Sequence, residues 1–191
     1  MDALPPLLLA AMRLHLADLT PRQRVVAVAA VGGLEGLADA GSLLQRALGE
    51  EPAARLARIG VADVEEELAR AQRRGTRVML RDDPAWPPLL SEISDPPWAL
   101  WVRGTLPDPA LPSLVVVGPR RPSPYGLAMC REFCRALAQL GVVIVSGGAR
   151  GVDGCAHAAA LAARAPTIAV LGCGTDVAYP SEHRPLFERI E

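Results

Sequence analysis

The sequence predicts an α/β protein in which a Rossmann-like, mostly parallel sheet with helices on both faces follows a small all-α domain. Three short runs rich in β-branched residues, at 114–117, 142–145 and 167–171, each end in a glycine-containing turn that leads into a helical segment. Such runs are typical of parallel strands joined by crossover helices. Residues 1–75 carry only short helical patterns. We therefore expect a helical domain over 1–75 and a Rossmann-like domain over 76–191.

The helical domain is predicted from its apolar spacing and from residues that start and stop helices. Thr20 supplies an N-cap and Pro21 a first helical position, so a helix is expected to begin there, and Gly32 and Gly33 end it. The predicted helices cover 4–16, 21–30, 34–39, 42–48, 52–58 and 61–74. Helices this short, with small loops, suggest a compact bundle that resembles a sterile-alpha-motif or helix-hairpin-helix unit.

The second domain begins with a proline-rich lead-in, in which strands are expected at 76–80 and 99–102 and a helix at 87–93. Strand, turn and helix then alternate, as in a parallel sheet with right-handed crossovers. The helices are predicted over 123–140, 152–163 and 182–190. Doubly wound domains usually carry five or six strands, so this domain is expected to be incomplete at its C-terminus.

Composition limits the classes of function. The chain has 191 residues, is 50% hydrophobic and carries a formal net charge of −1, so a nucleic-acid partner would have to be held by a local basic patch. All 20 basic side chains are arginine, and each is a planar fork that can grip phosphate in bidentate fashion.

The four cysteines, at 130, 134, 155 and 173, lack the spacing of a metal site and are expected to be free thiols in a reducing cytosol. The N-terminal apolar stretch lacks a basic leader, and no uncharged run approaches the length of a membrane span. We therefore expect a cytoplasmic protein with no membrane association, no metal and no cofactor.

The glycine-containing turns carry the candidate binding residues. We define the first turn as 118–123, the second as 146–151 and the third as 172–175. Backbone N–H groups at helix N-termini bind phosphate readily, and open α/β sheets bind ligands beyond the carboxyl ends of their strands. Arginines in two of the turns add to the expectation of a phosphate contact. The candidates are Gly118, Arg120, Arg121, Ser123, Ser146, Gly147, Gly148, Arg150, Gly151, Gly172 and Gly174.

Other interpretations of the same residues remain open. No GxGxxG fingerprint is present, and Pro119 removes an N–H donor that a dinucleotide loop would use. Ser123 could act only as an N-cap, with the arginines solvated. Asp153 alone could stabilise a helix N-terminus, and Asp153 with His157 could form an acid–base pair or, more in keeping with the pattern, a buried hydrogen-bonded pair. Cys173 has no evident basic partner, so no catalytic residue is assigned.

Three motifs follow one another at fitting distances. They are Val117-Gly-x-Arg-x-x-Ser-x-Tyr-Gly126, Ser146-Gly-x-Ala-x-Gly-x-Asp-x-x-Ala-His157 and Thr167-Ile-Ala-Val-Leu-Gly-x-Gly174, the last followed by Tyr179-Pro180. Together with the lead-in from Trp86 to Gly104, they resemble the bacterial DNA-processing protein A (DprA/Smf) family over about 84–187. The family's first turn usually has Ser or Thr at the place of Pro119. Its later Phe-Pro-x-Arg-Asn-Arg motif has no counterpart before Glu191.

The resemblance implies a single-stranded DNA-binding protein of natural transformation that protects incoming DNA, loads the RecA recombinase and is not an enzyme. The family's DNA contacts would fall on Arg120 and the glycine-rich turns, with Ser123 and Arg150 beside them. A homodimer is expected for the full-length form. The alternatives are a nucleotide-binding Rossmann-like hydrolase of the nucleoside-monophosphate phosphoribohydrolase type, whose Pro-Gly-Gly-x-Gly-Thr loop is not evident here, and a nucleotide-sensing domain.

Overall fold

The computed structural model describes residues 4–37 and 41–191. The chain divides into two compact units, Met1–Trp101 and Val102–Glu191. The boundary near residue 75, inferred from composition, falls within the first unit, at the change from helices to strands. As a statement about independently folding domains it stays a prediction.

Helices make up most of the first unit, and the first four named here share one apolar core. They are α1 (Pro6–Leu16), α2 (Pro21–Ala30), α3 (Gly41–Leu48), α4 (Glu50–Arg58) and α5 (Val61–Arg73). The start of α2 is confirmed, because the Thr20 side chain accepts a hydrogen bond from the Gln23 amide and the Gln23 side chain accepts one from Thr20 N. Leu14 and Leu56 lie buried in the shared core. Of the helix expected over 34–39, a 3₁₀ turn at Glu35–Leu37 is seen, Leu34 lies in a bend before it, and 38–39 lie outside the described residues.

A two-stranded sheet follows, formed by β1 (Thr76–Leu80) and β2 (Ala99–Arg103). The helix expected over 87–93 is shorter, a single 3₁₀ turn at Pro88–Ser91. Trp86 Nε1 donates to Ser91 Oγ at 3.1 Å, which holds the turn.

The second unit is a parallel α/β layer. Its elements are β3 (Ser113–Val115), α6 (Pro124–Gln139), β4 (Val143–Ser146), α7 (Val152–Ala162), β5 (Thr167–Ala169) and α8 (Arg184–Ile190). The strand order is β3-β4-β5, and Ile144 of β4 lies between Leu114 of β3 and Thr167 of β5 in register. A helical N-terminal region followed by a parallel α/β unit is the fold class that the sequence predicts, and it is confirmed.

Small side chains let α6 and α7 pack closely on β4. The side chains that form this core with Ile144 are Cys134, Ala138, Ala156, Ala159 and Ala160. The alanine-rich sequence of α7 therefore serves the close approach of helix and sheet.

The opposite face of the sheet is exposed. Val116 packs with the α6–α7 core, and because side chains alternate along a strand, Val115 and Val117 point the other way. Val115, Val117 and Val170 are 65%, 73% and 62% exposed, respectively. We call these three residues the open sheet face. A helical layer over it stays a prediction. None of the helices in 4–37 and 41–191 is long and apolar enough to cross a membrane.

Candidate functional site

The carboxyl ends of β3 and β4 bring the first and second turns into contact. The amide of Val152, at the start of α7, donates to the carbonyl oxygen of Pro119 at 3.3 Å. A Cβ on Gly151, whose φ is +81°, would lie 2.4 Å from that oxygen, and a Cβ on Gly118 would lie 2.7 Å from Val152 Cγ2. Glycine is needed at both positions for this approach. The two turns therefore form one continuous surface, which we call the turn junction.

Arg120 and Arg121 lie at the turn junction with their side chains exposed to solvent. The backbone of Arg120 is packed so closely on the second turn that a Cβ on Gly151 would lie 2.8 Å from the Arg120 carbonyl carbon. Within 4–37 and 41–191, neither side chain has an ion-pair or hydrogen-bond partner. Two charged forks on an anchored backbone are thus available to an external anion.

Ser123 caps α6. Its Oγ accepts a hydrogen bond from the Gly126 amide at 3.1 Å, and Pro124 occupies the first helical position. The N-cap interpretation of Ser123 is confirmed, and its contact with a ligand stays a prediction. Tyr125, two residues on, is exposed beside the same helix start.

Buried polar groups organise the second turn from below. Ser146 is buried, and its hydroxyl donates to the Val116 carbonyl at 2.7 Å, so it ties β4 to β3. Asp153 is also buried, and its Oδ2 accepts from the Ala149 amide at 3.2 Å. This carboxylate stabilises the turn that precedes α7. The expectation that Ser146 contacts a ligand directly has no support from its position, because its hydroxyl faces the sheet.

His157 is buried and belongs to a hydrogen-bond network that joins α7 to the sheet. Its Nδ1 donates to Thr167 Oγ1 at 2.8 Å, and the Thr167 hydroxyl in turn donates to the Ile144 carbonyl at 2.7 Å. Its Nε2 is buried without a partner among the described residues. The expected Asp153–His157 hydrogen-bonded pair is therefore wrong, since each side chain bonds elsewhere. Burial lowers the pKa of His157 to about 4, against the smaller opposing effect of the Asp153 charge, so the ring is neutral near neutral pH.

Arg150 of the second turn has an internal partner. Its Nη2 donates to Glu182 Oε2 at 3.0 Å, and its Nε donates to Glu182 Oε1, so the two side chains form a bidentate fork. The side chains are 56% and 50% exposed. The hydrogen bond from Arg150 lowers the pKa of the Glu182 carboxyl to about 2. Arg150 thus lies in the second turn with its guanidinium engaged by Glu182, and its contact with a ligand stays a prediction.

Phe187 of α8 covers one side of the second turn. Gly148, with φ +72°, is buried, and Phe187 lies directly against it. A Cβ at this position would be only 2.9 Å from Phe187 Cε1. Gly147 remains exposed, as do Gly172 and Gly174 of the third turn. Cys173 is half-buried, and its Sγ donates to the Val177 carbonyl at 3.3 Å. The exposed glycine amides of these turns lie where a ligand could reach them.

The sequence did not predict the part played by Glu182 and His183. Both lie in the 3₁₀ turn Ser181–His183, 32 or more residues after the turn that they contact. His183 Nδ1 donates to the Gly148 carbonyl at 3.0 Å. Glu182 lies two residues after Pro180 in the sequence, but only the fold brings it to Arg150.

All four cysteines are free thiols, and only Cys173 lies within one of the three turns. Cys130 and Cys134 Sγ are 3.9 Å apart on α6, and burial raises the pKa of both thiols. A raised pKa keeps a thiol protonated and unreactive. No group of three or more metal-ligating side chains occurs in the described part of the chain.

Known proteins share both the sequence motifs and the fold of this chain. The family model of DNA recombination-mediator protein A matches residues 77–191. Protein Smf of Synechocystis is 40% identical over 123 residues, which are 62% of this chain and 31% of that protein. Protein Smf of Escherichia coli is 38% identical over 148 residues, 78% of this chain and 40% of that protein.

A solved structure extends the likeness over both units. The X-ray structure of DNA processing protein A (DprA) from Streptococcus pneumoniae superposes with a TM-score of 0.77 and 28% identity over 96% of this chain. The chain covers 64% of that structure, and well under half of the length of the Smf relatives. Because the family model matches more than half of the chain, including all three turns, the chain belongs to the DNA recombination-mediator protein A family.

Proposed function

We propose that this chain binds single-stranded DNA through the turn junction, as a non-enzymatic mediator of recombination in natural transformation. Membership of a recombination-mediator family supports a role in DNA processing. The observation that carries the proposal is the pair of exposed arginines, Arg120 and Arg121, which have an anchored backbone and no internal partner among the described residues.

The charge distribution supports the same surface. The first unit contains 11 arginines and 14 Asp and Glu residues, and so has a net charge of −3. The second unit contains nine arginines and seven Asp and Glu residues, and so has a net charge of +2. The overall charge of −1 conceals this asymmetry. A polyanion is therefore favoured at the unit that holds the three turns.

The chemistry of the surface suits a single strand bound without sequence preference. Such binding combines phosphate contacts with stacking of bases on aromatic rings. Arginine forks and exposed glycine amides supply the phosphate contacts. Tyr125 and Tyr179 are exposed and are the only tyrosines in the chain, so we expect contacts to the DNA backbone to dominate.

The wider role extends the same proposal to the whole protein. We infer that it protects incoming strands, loads the RecA recombinase, forms a homodimer in its full-length form and acts in the cytoplasm without a cofactor. The family assignment and the resemblance of the motifs support this role. The chain spans 31% and 40% of the length of the two Smf relatives, so these activities are proposed from the family assignment and not from the described site.

Substitution of Arg120 tests the proposal. We expect Arg120→Ala to weaken binding of a labelled oligo(dT) about tenfold, the loss of one charged hydrogen-bond contact. Each phosphate contact to a single strand contributes about 0.7 to the slope of log K against log salt, so that slope should fall by about that amount. The measurement is a fluorescence anisotropy titration at several salt concentrations.

Arg135→Ala is the matched control, because Arg135 is an exposed arginine of α6 near the end opposite the turns. We expect it to change the affinity little. Equal losses in both variants would indicate a diffuse charge effect and contradict the assigned surface. Tight binding of a mononucleotide with no binding of DNA would favour the hydrolase or nucleotide-sensing alternatives.

A further inference from the structure

The ion pair between Arg150 and Glu182 occupies the candidate surface at a place where an arginine would otherwise face solvent. Arg150 presents its Nε and Nη2 edge to both carboxylate oxygens. A phosphate group offers two oxygens to the same edge in the same bidentate manner. The carboxylate of Glu182 thus has the geometry of an internal phosphate substitute.

The segment that carries Glu182 is held in place independently of the ion pair. His183 Nδ1 donates to the Gly148 carbonyl at 3.0 Å, and the imidazole lies so close to α7 that a Cβ on Gly154 would be 2.6 Å from His183 Cε1. Phe187 covers Gly148 from the following helix. The carboxylate is therefore delivered to Arg150 by the packing of its neighbours, and loss of its charge leaves that packing intact.

We propose that Glu182 occupies the place of a DNA phosphate on Arg150 in the free protein, and that single-stranded DNA exchanges with it on binding. This inference rests on the proposed function. Both side chains are about half exposed, and ion pairs in such surroundings contribute little to stability because water screens their charges. A phosphate can therefore displace the carboxylate at little cost, while the released carboxylate is solvated by water.

The exchange makes Glu182 a residue that determines specificity. A lone mononucleotide must displace the carboxylate with a single contact. A strand already held at Arg120 and Arg121 brings its next phosphate to Arg150 as an intramolecular step, with a high effective concentration. Glu182 thus disfavours small anions relative to a polyanion. Because the pKa of Glu182 is lowered to about 2, this selection is constant over the neutral pH range.

The test compares Glu182→Gln with Glu188→Gln in the 191-residue chain. Glu188 is an exposed carboxylate of α8, six residues on, with no ion-pair partner among the described residues, so its substitution makes the same change in net charge. We expect Glu182→Gln to bind oligo(dT) about two- to fivefold more tightly than Glu188→Gln, the equivalent of an exposed ion pair. In an Arg150→Ala background, the two variants should bind equally. Circular dichroism checks that each variant is folded.

The outcomes separate this inference from the proposed function. Wild-type binding with equal affinities for Glu182→Gln and Glu188→Gln would overturn the exchange and leave the proposed function standing. Weaker binding by Glu182→Gln would overturn it too, because Glu182 would then orient Arg150 for DNA instead of competing with it. Absence of DNA binding in all variants would overturn the proposed function and the inference together.

Discussion

The imidazole of His157 is fully buried, although histidine beside a conspicuous aspartate is a familiar sign of catalysis. Its Nδ1 bond to Thr167 links α7 to β5, and the Thr167 hydroxyl continues the link to β4. A ring so enclosed has no access to a substrate. Its contribution is to the stability of the sheet and the helix that position the second turn.

His157 predicts a dependence of stability on pH. Its pKa is about 4 in the folded protein and 6.5 as a free side chain, so between these values only the unfolded state takes up the proton. The contribution of His157 is therefore complete above pH 6.5 and is lost as the pH falls towards 4, by about 3 kcal/mol at most. Urea denaturation at several pH values measures it.

His157→Asn is the comparison, because the asparagine amide can still donate to Thr167. We expect this variant to be less stable at neutral pH but to lose less stability than the wild type between pH 6.5 and 4. A parallel loss in the two proteins would show that His157 does not titrate in this way. The ring signals of His157 in NMR should likewise shift only below about pH 5.

At the level of elements, the glycines of the three turns have different structural roles. Gly151 has φ +81° and lies against Pro119 O, whereas a Cβ on Gly172 would meet nothing within 4 Å. Both belong to the predicted phosphate-binding turns. Substitution by alanine should nevertheless affect stability differently at the two positions, since only Gly151 lies where two turns meet.

Alanine substitution at the two glycines tests this difference. We expect Gly151→Ala to reduce the free energy of unfolding by at least about 2 kcal/mol, since it combines left-handed backbone strain with a backbone clash. Gly172→Ala should change it by less than about 0.5 kcal/mol, as at an open surface position. Denaturant unfolding of both variants provides the measurement. Equal effects would contradict the close packing of the turn junction.

At the level of the whole molecule, two features expose groups that a stable surface usually covers. They are the open sheet face and the outer edge of β3, which pairs with no strand among the described residues. β-branched side chains stand in solvent there, next to the unpaired backbone of an edge strand. Flat apolar surfaces and unblocked strand edges promote association. The 191-residue chain should therefore associate with itself in a concentration-dependent manner.

Val117→Thr keeps a β-branched side chain and adds a hydroxyl to the open sheet face, so we expect it to reduce this association. Leu140→Thr is the control, because Leu140 is 79% exposed but lies at the end of α6, outside the open sheet face. Sedimentation velocity over a range of concentrations distinguishes the two. If both variants behave like the wild type, the open sheet face does not drive association.

Local signals predicted most of the secondary structure. The N-cap at Thr20, the strand at 76–80 and the N-cap at Ser123 were all predicted from neighbouring residues, and all are confirmed. Strand ends were less predictable. The apolar run 114–117 outlasts β3, which ends at Val115, because the length of a strand depends on its hydrogen-bonded partner. The helix expected over 87–93 is only a 3₁₀ turn at Pro88–Ser91, and nothing in the structure explains why it ends there.

The candidate site, like the secondary structure, was predicted only in part from local sequence. The sequence alone determined that three parallel strands would end in glycine-containing turns with arginines, because strand, turn and helix patterns are local and parallel strands share one carboxyl edge. Only the tertiary structure decided that Arg120 and Arg121 lack an internal partner in the described chain while Arg150 has one, and that His157 turns to Thr167 instead of Asp153. Thr167 and Glu182, the partners of His157 and Arg150, lie 10 and 32 residues further along the chain. They reach these side chains because α7 and the 3₁₀ turn at Ser181–His183 pack together with the strands, and no local sequence pattern specifies that packing.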